Sequence, residues 1–418
     1  MSQPPPTADE LGRLLLPLAD EIDAAKTVPE HVLAEIVRSG AMAAMVPAQY
    51  GGRPLSHRAY GELNRAVART SASLQSLLTV HGMVCASLSR WGSETLRQRL
   101  LPRLASGELV GAFGLTEDGA GSDAQAVGTT AVLEEASEAP EAALAGAGAA
   151  EGGATGAGAA GAGAARAVWR LDGTKRWLSF GGLADCFLVF AKHGDRSVAF
   201  LVQRDDPGVT VVPSRPTSGF RSAMLADLHL DGCRVPADRM VGRPGFGVSQ
   251  VAGSALSLGR LCVAYGSLGI AEACCDAMLG HTSSRKQFGG RLIDLQLVRG
   301  LVGDAVVDTE AARLLCEQAA RAMDTQDDWL IQHVLTAKLA ASRAADRASA
   351  AAAQLHGAAG LVEGSPVDRW VRDARVMQII EGSTQLLQDL LAEESLQRFR
   401  VRRRHPQYPF EAGADCAE

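Results

Sequence analysis

The residues best suited to chemistry fall into four short clusters. Glu381 closes an apolar run containing Val376, Met377, Ile379 and Ile380, and Gly382-Ser383-Thr384-Gln385 follows it. A carboxylate in that position is either a helix-start acid or a base whose desolvation lifts its pKa toward the range where it can take a proton. The segment Phe113-Gly-Leu-Thr-Glu-Asp-Gly-Ala-Gly-Ser-Asp123 turns abruptly from apolar to Gly- and Ser-rich. It reads either as a strand and its turn or as a loop for a phosphate or an acceptor-rich ring. Backbone N–H groups and hydroxyls would meet such a ligand, and glycine permits their close approach.

In Lys175-Arg-Trp-Leu-Ser-Phe180 the strand period of two puts Trp177 and Ser179 on one face. There they suit either a packed core or the wall and donor of a flat ring. Arg285-Lys-Gln-Phe-Gly289, continuing to Gln296, lies in a helical stretch where solvated polar residues are the default. The last cluster holds Gln354-Leu-His-Gly-Ala-Ala-Gly360 and Asp368-Arg-Trp-Val-Arg-Asp373 ahead of Glu381.

The elements that must position these residues are legible from periodicity. Leu11, Leu14, Leu15, Leu18 and Ile22 lie on one face of a 3.6-residue period. The run PEHVLAEIVRSG has proline just inside its start and glycine at its end. From about Phe113 short β-branched and aromatic runs replace this pattern, bounded by DGT, HGDR and DDPG turns, with a hairpin expected at Asp172-Gly173. From Phe246 to Phe399 helical patterns return. The expectation is a helical domain over 1–112, a middle antiparallel β-domain over 113–236, a helical bundle over 237–400 and a flexible tail over 401–418.

Residues 134–167 hold 16 alanines and 8 glycines in 34 positions, too little apolar surface to offset ordering entropy, so a disordered insert is expected in a hairpin loop. Gly156, Gly158 and Gly161 satisfy GxGxxG inside it. That dinucleotide fingerprint requires a strand before and a helix after, and low complexity on both sides makes it a decoy.

Composition excludes several classes. The 418 residues are 47% hydrophobic and 21% charged, which is globular rather than disordered. A net charge of −6 argues against tracking nucleic acid. Eight cysteines without CxxC spacing argue against structural zinc or a disulfide scaffold, and reduced buried thiols are expected. No membrane span is expected, and the first residues, MSQPPPTADELG, lack a secretory pattern, so the expected location is cytoplasmic.

FGLTEDGAGSD, RWLSF, RKQFG with Gln296, QLHGAAG and RDARVMQIIEGSTQ occur in the order and spacing of the acyl-CoA dehydrogenase family, which the chain resembles over all but the insert and the last residues. The resemblance implies an α+β multidomain fold with a C-terminal four-helix bundle, and FAD as cofactor. It implies that Phe113, Leu115, Thr116, Gly121, Ser122, Trp177, Leu178 and Ser179 line the flavin, with Ser122 also near substrate. Arg285, Gln287, Phe288 and Gln296 would reach the FAD of a neighbouring subunit, giving a homodimer or homotetramer. Gln354, Leu355, His356, Gly357, Ala358, Gly382, Ser383 and Gln385 would meet the adenosine and phosphate side.

Glu381 matches the family's base, taking a proton as hydride passes to flavin N5, with an electron acceptor to reoxidise the flavin. Some members place the carboxylate just before the arginine matching Arg260, a substrate-side residue; here that position is Gly259. The wording of SASLQSLLTVHGM and SGFRSAMLADLHLDGCRVPA is similar to enzymes acting on short, hydroxylated acyl units held on acyl carrier protein for polyketide extender-unit assembly. The alternatives are an acyl-CoA dehydrogenase forming a trans-2-enoyl thioester, and a flavin monooxygenase on the same fold. The five arginines of 398–404 read either as a solvated C-terminal tail or subunit contact, or as a patch that meets an acidic carrier protein.

Overall fold

The computed structural model describes residues 7–134 and 167–403. The insert from 135 to 166, with its GxGxxG glycines, and residues 404–418 with Cys416 lie outside the described residues. The chain forms a helical layer, a sheet and a second helical layer.

The first layer holds α1 (Ala8–Leu15), α2 (Ala19–Ala25), α3 (Glu30–Ser39), α4 (His57–Thr70), α5 (Ala72–Trp91) and α6 (Glu94–Ala105). Side chains of Thr7, Ser56, Ser71 and Ser93 cap α1, α4, α5 and α6 by accepting a backbone N–H. The single amphipathic face expected over Leu11–Ile22 is split by a short 3₁₀ turn at Leu16–Leu18, because Pro17 cannot donate within a continuous helix. Leu11, Leu15 and Ile22 are buried while Leu14 faces solvent. α3 ends at Gly40, whose φ of 75° needs a residue without a Cβ.

Seven strands form one sheet: β1 (Gly111–Gly114), β2 (Thr130–Glu134), β3 (Val168–Leu178), β4 (Cys186–His193), β5 (Arg196–Gln203), β6 (Val209–Pro213) and β7 (Ala226–Pro236). β4 is buried on both faces from Cys186 to Ala191, and it reads as an unbroken apolar run for that reason. β5 lies on one side of β4; β1 and β2 follow one another along the other, both parallel to it. The remaining pairs, β2–β3, β3–β7, β4–β5 and β6–β7, are antiparallel as expected. β2 and β3 pair from Thr130↔Asp172 to Glu134↔Val168, so the insert does replace a hairpin loop.

Asp172-Gly173 is not a hairpin. β3 runs straight through it beside β7, with a register shift between Leu171 and Gly173. The Asp172 carboxylate accepts from Gly232 N across the pair (2.7 Å), and a Cβ on Gly173 would lie 2.4 Å from Thr129 Oγ1. The glycine marks a bulge and a close backbone approach.

The second helical layer holds α7 (Gly253–Ser284), a small hairpin of β8 (Lys286–Gln287) and β9 (Gly290–Arg291), then α8 (Gln296–Thr325), α9 (Leu330–His356), α10 (Pro366–Met377) and α11 (Thr384–Arg403). α7 packs against α4, α5, α8, α9 and α10 and so joins the two helical layers into one core. The helical stretch Gly247–Ser284 is long and apolar enough to cross a membrane, but 89% of its most apolar window is buried in protein, which makes it a core helix. α11 continues to Arg403, past the expected start of the tail, and Arg398 packs on Trp329 at 5.2 Å while donating to Gln332. The seven described cysteines are buried and unpaired.

Candidate active site

α10 fixes the corner that carries Glu381. Asp373 on α10 is buried and accepts the Phe220 N–H of the β-domain at 2.8 Å; burial pushes its carboxyl up to about 6. Arg372 on the same helix bridges Asp23 (2.7 Å) and Asp368 (3.1 Å). The RWVRD cluster thus ties three parts of the molecule together, and the chain leaving α10 turns back at Glu381.

That turn is unusual. Glu381 has φ 54°, in the left-handed region that costs a non-glycine residue energy. The bend sends the carboxylate against α7 at Gly259, where a Cβ would lie 2.5 Å from Glu381 Oε2 and 2.9 Å from the Met83 sulfur of α5. Only glycine leaves room there. Arg260 Nε donates to the Glu381 main-chain oxygen (3.1 Å), and Lys338 Nζ on α9 donates to the Gly382 oxygen (2.7 Å). Oε2 is buried without a hydrogen-bond partner. Burial, opposed by Arg260 and Lys338, pushes this carboxyl up to about 7. Such a group is poised to exchange a proton near neutral pH. Ser383 Oγ accepts from Leu386 N and starts α11, while Gln385 faces solvent.

The loop after β1 is held by a second carboxylate. Glu117 accepts from Lys175 Nζ (2.5 Å), Thr129 Oγ1 (2.5 Å), Gly128 N (2.6 Å) and Thr129 N (3.0 Å). Burial alone would raise its pKa, but the Lys175 and Thr129 hydrogen bonds prevail and hold it below the usual carboxylate range. Arg176 N donates to Thr116 O at 2.8 Å and fastens the loop to β3. Leu115 is buried, Phe113 and Thr116 are half-buried, and Gly121 and Ser122 are exposed.

Trp177 and Ser179 do not share a face through strand period. The strand ends at Leu178, Trp177 has φ 60°, and Ser179 lies in the turn beyond. The Trp177 N–H donates to Asp227 Oδ1 (3.1 Å), which fixes the left-handed bend and leaves the indole 50% exposed. Among the described residues the hydroxyls of Thr116, Ser122 and Ser179 have no hydrogen-bond partner. An exposed indole beside free hydroxyls is the donor set that a flat, acceptor-rich ring such as an isoalloxazine needs, so these residues fit a flavin.

Arg285-Lys-Gln-Phe-Gly289 is not helical. α7 stops at Ser284, and Phe288 (φ 53°) and Gly289 (φ 81°) form the two-residue turn between β8 and β9. Phe288 is 93% exposed, and Arg285, Gln287 and Gln296 face solvent beside it. His281 on α7 stacks on His356 at 4.3 Å, bringing this arm to Gln354, Leu355, Gly357 and Ala358 at the end of α9. Among the described residues no hydrogen bond joins this patch to the Thr116 loop or to Glu381. The sites therefore form one buried corner, one loop and one outward-facing arm.

Sequence reasoning missed Lys338, Glu117 and Asp227 as supports. Lys338 did leave a signal, a lone lysine in the apolar run LTAKLAAS. Nothing local marks Glu117 or Asp227 as supports, because Lys175 and Trp177, which they hold, come from a strand fifty or more residues away.

The comparisons agree across the molecule. Sequence models of the acyl-CoA dehydrogenase N-terminal, middle and C-terminal domains match residues 9–108, 143–233 and 245–396. The human mitochondrial short-chain specific acyl-CoA dehydrogenase is 31% identical over 393 residues, covering 92% of this chain and 87% of that protein. The solved structure of FkbI, for biosynthesis of the methoxymalonyl extender unit of the Fk520 polyketide, is 32% identical with a TM-score of 0.80, covering 94% of this chain and 99% of that one. Butyryl-CoA dehydrogenase from Megasphaera elsdenii superimposes with a TM-score of 0.82 at 27% identity, over 93% of this chain and 96% of that one.

Proposed function

Because this chain belongs to the acyl-CoA dehydrogenase family, whose members are FAD-dependent oxidoreductases of acyl thioesters, we propose that it oxidises a short, hydroxylated acyl unit carried on acyl carrier protein, with Glu381 as base. The observation that carries the base assignment is the Glu381 carboxylate: buried at Oε2, unpartnered, and seated against Gly259. A polyketide extender unit as the substrate is supported by the similarity to FkbI over nearly the whole of both chains.

FAD, when bound, takes the electron pair that leaves the substrate as hydride. Phe113, Leu115, Thr116, Gly121, Ser122, Trp177, Leu178 and Ser179 would hold the ring of the chain's own FAD. Arg285, Gln287, Phe288 and Gln296 would reach that of a second copy, and Gln354–Ala358, Gly382, Ser383 and Gln385 would meet the adenosine and phosphate side. Glu381 removes the proton, from the α-carbon of an acyl thioester or from the hydroxyl of a hydroxylated unit. The Glu381 N–H has no acceptor among the described residues, so it can donate to the thioester carbonyl and stabilise negative charge there. Arg260 and Lys338 hold the main chain of this turn and leave Oε2 free.

The 31% identity to the human short-chain enzyme favours a second reading, a CoA thioester desaturated to the trans-2-enoyl product. Anaerobic bleaching of the flavin decides between them, using glyceryl-carrier protein against butyryl-CoA and other short acyl-CoAs. Bleaching by the carrier-bound unit is expected, and bleaching by the CoA esters alone overturns that choice. A monooxygenase would need no base beside the flavin, and the poised carboxylate speaks against it. Fast reaction of the reduced flavin with oxygen would restore it.

A further inference from the structure

A half-buried arginine and a fully buried lysine flank the turn that carries Glu381, and neither makes an ion pair with its carboxylate. Arg260 reaches the Glu381 carbonyl from α7, and Lys338 reaches the Gly382 carbonyl from α9. Two consecutive carbonyls of a left-handed bend are therefore held from two different helices. Lys338 is fully buried on α9, and among the described residues the Gly382 oxygen is the only hydrogen-bond partner of its ammonium. A buried ammonium is retained only where it is compensated, and here a single carbonyl and the nearby carboxylate do so.

We propose that Lys338 is a positioning residue for the base. It holds the Gly382 carbonyl so that the bend at Glu381 stays closed, and it sets a positive charge near the carboxylate without capping it. The proposal rests on Glu381 being the base. The groups facing that carboxylate are Arg260 and Cys262 of α7, Lys338 of α9, and the uncharged Met83 of α5. Burial also pushes Lys338 down to about 8, against the pull of Glu381. Both groups thus sit near neutrality, where small changes in one move the other.

The test uses the FAD-loaded full chain. The protonated-carboxyl infrared band that Glu381→Gln removes is titrated against pH in the wild type and in Lys338→Arg, Lys338→Gln and Lys338→Met. The midpoint is expected to rise by about one pH unit in the Gln and Met variants and to stay at the wild-type value in Arg. Turnover of whichever thioester bleaches the wild type should fall about ten- to a hundredfold in Lys338→Met, with flavin content unchanged. Lys338→Gln keeps a donor and loses only the charge, so it is decisive where the Met variant does not fold. An unmoved midpoint in Lys338→Gln overturns the proposal, and a lowered Tm alone would not rescue it. Full turnover in Glu381→Gln would overturn the base reading itself, a failure distinct from an unmoved midpoint.

Discussion

Glu117 and Glu381 are two carboxylates near two fully buried lysines, and the protein treats them in opposite ways. Glu117 receives Lys175 directly, together with a hydroxyl and two backbone N–H groups, and its pKa falls. Glu381 receives no donor on Oε2, and its pKa rises to about 7. The lysines are alike: burial pushes both down to about 8. What differs is where the ammonium points. Lys175 points at the carboxylate and makes a brace between loop and strand. Lys338 points at a carbonyl one residue along and leaves Glu381 Oε2 without a donor. Distance to a positive charge therefore does not decide whether an acid is structural or chemical; the aim of the hydrogen bonds does.

The contrast breaks first at its reactive end. Glu381→Gln should lower turnover about a thousandfold or more while FAD stays bound, measured by flavin content and anaerobic bleaching. Comparable retained turnover would remove the distinction. The structural end comes next. Glu117→Gln leaves Lys175 buried without its counter-charge, and the protein should lose about 3 kcal/mol, read from denaturant midpoints, with the pH dependence of the remaining turnover unmoved.

A smaller effect probes the room left for the base. Gly259→Ala puts a Cβ 2.5 Å from Oε2, inside contact distance, and turnover should fall about tenfold or more as the carboxylate is pushed aside. In the wild type the acid limb of kcat should have its midpoint near pH 7, since Glu381 must be ionised to act and its carboxyl is raised to about 7.

The smallest effect is on stability. The folded-state pKa of Glu381 lies above its unfolded value, so the native state holds the extra proton between about 4.5 and 7 and loses stability as pH rises through that window. Glu381→Gln should therefore unfold later than the wild type at pH 8 and equally at pH 4, as denaturant midpoints at the two pH values would show. A variant that loses stability at pH 8 would mean the carboxylate is held by contacts rather than strained by burial.

The reactive groups were far more legible than their geometry. Glu381 was visible as a carboxylate ending an apolar run, and the 113–123 loop as a sudden change in composition, because both are local in the chain. The strand period failed at Trp177 because Asp227, fifty residues on, bends the backbone there. Asp172-Gly173 looked like a turn but sits opposite Asp231-Gly232, and strand pairing converts both into bulges. Arg285–Gly289 lay inside a helical pattern, yet Phe288 takes a left-handed conformation at the tip of a short hairpin. In the first two cases a partner distant in sequence overrode a local preference, and in the third a tight two-residue turn ended the helix.

By itself the sequence determined the helical, then β, then helical order of the chain, the end of α3 at Gly40 and the position of a carboxylate at the end of an apolar run. Those follow from periodicity and from proline and glycine, which act within a few residues. The tertiary structure alone decided that Gly259 opens the space for Glu381, that Lys338 and Arg260 grip its main chain, and that Glu117 is a brace rather than a reactive acid. Each of those depends on hydrogen bonds between segments brought together only by folding, and the direction of a donor is not written in any local stretch of residues.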